Sequence, residues 1–220
     1  MENAFGLSIP RTLGEACDPR RMALVVYDMQ VGVVSQIRGA EEIVGKVTRV
    51  IDAARAGGFR IFYLRHMSVP KEIAGVAQLR TAMAWQRVDH VAQVTPVFRR
   101  DSPEFALVPE LSPSSIEMIF DKISMSAFVG TPLDIVLRDC GVDTFAIVGV
   151  AMEVGIEPTV RHAADLGYLP VVVADACGAG NEAAAQRSLE GLAFAGDSLQ
   201  TDVATICPAL LAGRRHTVGQ

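Results

Sequence analysis

Met22-Ala-Leu-Val-Val-Tyr27 is an unbroken apolar run of six residues that ends on Asp28. Continuous apolarity over so short a span suits a strand buried on both faces, as in a parallel sheet, rather than the alternation of a half-exposed strand. Downstream, Ile43, Val44, Val47, Val50, Ile51 and Ala54 recur at helical spacing, and Gly57-Gly58 stops the helix. Phe59 to Leu64 reads as the next strand. Strand, helix and strand in that order form a βαβ unit.

The same alternation continues along the chain. Ile116 to Phe120 reads as a strand, and Thr131-Pro132 opens a helix with Leu133, Val136, Leu137 and Cys140 on its apolar face before Gly141 ends it. Thr144 to Val150 is the most apolar strand. A helix is expected from about Gly155 to Leu166 and a strand from Leu169 to Val173. Asn181 caps a helix to about Ala195, Asp197 to Gln200 is a short edge strand, and Thr201 caps a last helix that Pro208 should kink or shorten. The pattern predicts an α/β fold: a three-layer α/β/α sandwich around a mostly parallel sheet of about six strands, as a single domain over residues 1–220. Residues 65–115 break the rhythm. They hold proline or glycine at 70, 75, 96, 103 and 109 and the single tryptophan, Trp85, and are expected to form a lid or an interface.

Composition narrows the partners. Half of the 220 residues are apolar and 20% are charged, which excludes a disordered chain. No stretch reaches the roughly 18 apolar residues of a membrane helix. The net charge of -5, from 20 Lys and Arg against 25 Asp and Glu, argues against nucleic acid and anionic membrane and leaves a small-molecule substrate or another protein. Met1 to Phe5 lacks a basic start before an apolar run, so the expected location is cytoplasmic. Cys17, Cys140, Cys177 and Cys207 form no CxxC pair, and His66, His90, His162 and His216 form no HxxxH pair, so neither a metal nor another cofactor is expected.

Ligands of open parallel sheets bind beyond the carboxyl ends of the strands. Asp28, Asp121-Lys122 and Ala151 to Gly155 all follow predicted strands. Asp28 and Lys122 suit a proton-transfer pair, or, each taken alone, a solvated ion-pair member. Glu153 suits an acid, a base or a water-positioning group, and equally a carboxylate stabilised at a helix N-terminus. Cys177 precedes Gly178-Ala-Gly180, yet a lone buried thiol is more often a small apolar residue. Trp85 and Phe128 are candidate walls. Arg65, His66, Arg80, Arg87, Arg99 and Arg100 are the basic side chains available to an anionic substrate.

Three blocks in this order make the chain recognisable. Val-Val-Tyr-Asp28-Met-Gln30, Lys122-Ile-Ser-Met-Ser126-Ala127-Phe128 and Ile-Val-Gly149-Val150-Ala151, followed by Glu157-Pro-Thr159, Gly167-Tyr168 and Asp175-Ala176, resemble the isochorismatase-like (cysteine hydrolase) superfamily from about Met22 to Leu211. The resemblance implies a catalytic Asp28 and Lys122, with Gln30 near the site. It also implies a cis peptide before Ala151, a homodimer or homotetramer, and a cysteine nucleophile six residues after Gly149. That position is Gly155. Members with the cysteine act as amidases, the thiolate attacking a carbonyl whose oxyanion is held by backbone N–H groups such as those of Ala151 and Gly155. True isochorismatases carry glycine there and hydrolyse a vinyl ether through an acid. The expected function is therefore hydrolysis of a small molecule by Asp28/Lys122 acid-base chemistry without a covalent cysteine intermediate, on an isochorismate-type vinyl ether. The alternatives are a catalytically silent binding or assembly member and a diverged amide hydrolase.

Overall fold

The structure, a computed structural model, describes residues 1–213; His216 lies outside them. A small hairpin, β1 (Glu2–Ala4) with β2 (Leu7–Ile9), and a short helix, α1 (Leu13–Ala16), lead into β3 (Met22–Tyr27). Then follow α2 (Val31–Val34), α3 (Ala40–Gly57), β4 (Arg60–His66), α4 (Val76–Gln86), β5 (Met118–Lys122), α5 (Leu133–Asp139) and β6 (Thr144–Val150). The chain continues through α6 (Glu157–Asp165), β7 (Leu169–Gly178), α7 (Glu182–Ala195), β8 (Leu199–Thr201) and α8 (Val203–Ala212). Six strands form one sheet in the order β5-β4-β3-β6-β7-β8, and every neighbouring pair is parallel.

All six residues of β3 are buried, as an apolar run covered on both faces requires. Met22, Leu24 and Val26 point into a core shared with α3 and α8, while Ala23, Val25 and Tyr27 point into a second core shared with α5, α6 and α7. That two-residue alternation puts helices on both faces and makes the three layers. From β3 the chain moves outward to β4 and β5, then returns to β6 on the other side of β3. The strand order therefore reverses between β3 and β6, the position beyond whose strand ends open α/β sheets commonly bind ligands.

Several boundaries differ from the sequence reading. β7 runs on to Gly178, so Asp175 to Cys177 lie within a strand; a register shift in β6 between Ile147 and Gly149 lets β7 pair Cys177 with Gly149. Gly149 has φ +126, and a Cβ there would overlap the backbone of Tyr27, so only glycine fits this close approach. The last helix is capped by Asp202, whose side chain accepts from the Thr205 N–H at 2.7 Å, and not by Thr201. It also passes through Pro208, because Val203, Ile206 and Leu210 are buried against α3 and that packing outweighs the missing donor.

The stretch after β4 divides in two. Phe105, Val108 and Leu111 are buried and tie its second half to the main body. The first half carries α4, which buries none of its residues.

Candidate active site

Asp28 directly follows β3 with φ +47, and its N–H donates to the Leu64 carbonyl of β4 at 3.1 Å. Lys122 ends β5, in register with His66 at the end of β4. The Lys122 Nζ donates to Asp28 Oδ2 at 2.7 Å and to the Ser124 carbonyl at 3.2 Å, and it stands 4.2 Å from the centre of the Tyr27 ring. Asp28 is 6% exposed and Lys122 2%. Asp28 Oδ1 is buried and has no hydrogen-bond partner among the described residues. Burial pushes the Asp28 carboxyl up, against the pull of Lys122, and burial pushes the Lys122 amine down, against the pull of Asp28. Both shifts run toward the uncharged forms, and Asp28 Oδ1 is the carboxyl oxygen that Lys122 leaves without a partner.

Gln30 does not face a ligand. It is fully buried, its Nε2 donates to the carbonyls of His66 and Phe105 at 3.0 Å each, and its Oε1 accepts the His66 N–H at 2.6 Å. It braces the end of β4 against the stretch that follows. The His66 ring sits edge-on to Phe98, with centroids 5.9 Å apart. Burial, and then the charge of Lys122, lower its pKa to about 4. This imidazole is neutral near pH 7.

Beyond β6 the Val150–Ala151 peptide is cis, and residues Met152–Ile156 form a π-helical turn leading into α6. The Gly155 N–H donates to the Ala151 carbonyl at 3.1 Å, so it is engaged within the turn and does not point at a ligand. A Cβ built on Gly155 would overlap the Tyr27 hydroxyl and ring. That hydroxyl donates to the Met125 carbonyl, which fixes the ring in the space beside Gly155. Glu153 is tied to the start of α7: its Oε1 accepts the Asn181 N–H at 2.6 Å, while its Oε2 is buried with no hydrogen-bond partner among the described residues. Phe128 is a core residue, stacked on Tyr168 at 5.5 Å. Cys177 donates to the Ile147 carbonyl at 3.7 Å, and burial pushes its thiol well up, away from the thiolate.

A cavity of about 340 Å³ opens between α4, the ends of β4 and β5 and the chain around Pro96. Trp85, 53% exposed, forms part of its wall. Asp28 and Lys122 do not line it; His66 and Ser124 do, and each of these also adjoins the pair. Of the basic candidates, His66 lines the cavity and the five arginines do not. Arg65 and Arg100 both bind Asp121, Arg99 binds Asp101, and neither Arg80 nor Arg87 lines the cavity. Among the described residues, no cluster of three His, Cys, Asp or Glu side chains is placed to hold a metal ion, and no helix is long and apolar enough to cross a membrane.

Sequence reasoning passed over Tyr27 as a site residue. Its signal is an aromatic closing a strand of otherwise aliphatic residues, next to the acid. It also passed over the pairing of Ser126 Oγ with His162 Nδ1 at 2.9 Å, which joins the loop after β5 to α6.

An acid and a lysine thus meet beyond the ends of parallel strands, the part of an α/β sheet where enzymes of this architecture commonly place their sites. Residues 22–204 match the Isochorismatase domain, and the chain belongs to that family of hydrolases. It is similar to a ureidoacrylate amidohydrolase of Serratia proteamaculans, 27% identical with 90% of this chain and 86% of the relative covered. An isochorismatase family protein of Escherichia coli O157:H7 is 32% identical over 71% of this chain and 79% of its own. Among solved structures, a cysteine hydrolase from Pseudomonas syringae pv. phaseolicola superposes with a TM-score of 0.77 at 27% identity, covering 90% of this chain and 96% of the other.

Proposed function

We propose that this hydrolase works by proton transfer through Asp28 and Lys122, with no covalent thiol intermediate. The observation that carries the proposal is the Tyr27 ring in the space a side chain at position 155 would need. With that space filled and Cys177 held as an inert thiol, the reactive groups left beside the crevice are the buried acid and its lysine.

The chemistry these two groups suit is hydrolysis of a vinyl ether. Protonated Asp28 gives its proton to the enol carbon, forming an oxocarbenium ion. Water adds to that ion, and the resulting hemiketal releases an alcohol and a ketone, returning a proton to Asp28. Lys122 compensates the carboxylate that appears during the step. A second reading, amide hydrolysis, draws on the Serratia relative named as an amidohydrolase. In that case ionised Asp28 would activate water as a base. The assembly expected from the family resemblance is a homodimer or homotetramer.

A two-channel assay on the purified chain separates the readings, following ketone release from enol ethers, isochorismate included, and ammonia release from amides. Ketone release that Asp28→Asn abolishes supports the proposal. Ammonia release alone moves the chain to the amide reading, and silence in both channels leaves a binding or assembly protein.

A further inference from the structure

We infer that the cavity beside α4 is a binding site for an uncharged small molecule with an apolar body, presented to the His66 end. The inference rests on the reading of Asp28 and Lys122 as the reactive pair, since His66 and Ser124 connect the cavity to them.

The volume, about 340 Å³, falls in the range of small-molecule sites. Most of the wall is apolar, with Leu79, Trp85, Val97, Phe98, Ile123 and Met125 among its members. The polar side chains in the wall are largely engaged in holding it together. The Gln86 amide donates to and accepts from the Thr95 backbone, both at 2.9 Å. Ser68 Oγ accepts the Phe98 N–H at 3.1 Å, and Ser124 Oγ donates to the Ser126 carbonyl at 3.0 Å. Among the described residues, Lys71 is the single lysine in the wall, where it donates to the Ala92 carbonyl at 3.1 Å, and no arginine lines the cavity. His66 brings no charge near pH 7, because burial and Lys122 hold it neutral.

A carboxylate entering such a space would give up most of its hydration and meet one cation, Lys71, already tied to the Ala92 carbonyl at the wall, a cost that a neutral amide or ether of the same shape avoids. This surrounding suits an aromatic or alkyl group against Trp85 and Phe98, with an uncharged polar atom facing the imidazole.

Trp85 is the sole tryptophan and stands in the wall, so its fluorescence reports occupancy without turnover. The probes are matched pairs, benzamide with benzoate and 3-phenylpropanamide with 3-phenylpropanoate, titrated at pH 7. The expected result is a saturable change with the amides and binding at least about tenfold weaker for the carboxylates, which Ala82→Phe, filling the cavity, also weakens. Carboxylates that bind as tightly as the amides, particularly where Lys71→Ala removes that binding, would overturn the inference. No saturable change with any probe would overturn it as well. Binding without turnover by the Asp28 route would count against the reaction alone, so the two failures remain distinguishable.

Discussion

The ring of Tyr27, at the end of β3, fills the volume that a side chain on Gly155 would need, and its hydroxyl is tied to the Met125 carbonyl. Two positions 128 residues apart in the chain are thus mutually exclusive in size. Gly155→Ala is expected to destabilise the fold by about 1–3 kcal/mol through overpacking, and Tyr27→Leu by a few kcal/mol through the cavity it leaves. The double variant should lose at least about 1 kcal/mol less than the sum, measured by urea unfolding. Strict additivity would show that the two residues do not compete for space.

Lys122→Met removes the charge that opposes burial at Asp28. The Asp28 carboxyl then rises further, so the folded state binds a proton that the unfolded state has released. The variant's stability relative to the parent should be best in acid and fall as pH rises through the carboxylate range. Its turnover should fall by about 10²–10⁴. Equilibrium unfolding from pH 4 to 8 checks the first expectation, and a pH–rate profile the second.

His66 contributes with the opposite sign. Its pKa is lowered from 6.5 to about 4 in the folded protein, so the unfolded chain binds the extra proton between those values. Stability from this residue is present above about pH 6.5 and is lost as pH falls toward 4, by at most about 3 kcal/mol and less to the extent that the ring meets solvent. His66→Gln should flatten the acid side of the stability profile relative to the parent. An unchanged profile would mean that the imidazole titrates normally.

Gln30→Leu leaves the His66 N–H and the carbonyls of His66 and Phe105 without their side-chain partner in a buried site. The expected loss is about 2–3 kcal/mol of stability, with weaker amide binding by Trp85 fluorescence because the end of β4 is no longer braced.

Much of this was legible in the chain. The apolar run at Met22–Tyr27 and the repeating βαβ rhythm specify buried parallel strands, and both β3 and β6 fall on the expected residues. The meeting of Asp28 with Lys122 also follows from their positions at strand ends. What periodicity could not carry was long-range geometry. Gln30 follows Asp28 closely, yet it faces the backbone of His66. Glu153 sits at a helix start and is drawn to the Asn181 N–H across from it. Phe128 has the composition of a pocket wall and packs on Tyr168. Residues 65–115 lack a repeat, and α4 in their first half buries none of its residues, so no core imposes a period on it.

The most direct test compares two variants on whichever substrate the two-channel assay turns over. One is Asp28→Asn; the other replaces all four cysteines, Cys17→Ala, Cys140→Ala, Cys177→Ala and Cys207→Ala. Proton transfer by Asp28 predicts that the cysteine-free protein stays within about threefold of the parent in kcat/KM, while Asp28→Asn falls at least about 100-fold. Loss of turnover in the folded cysteine-free protein, with activity retained by Asp28→Asn, would contradict it.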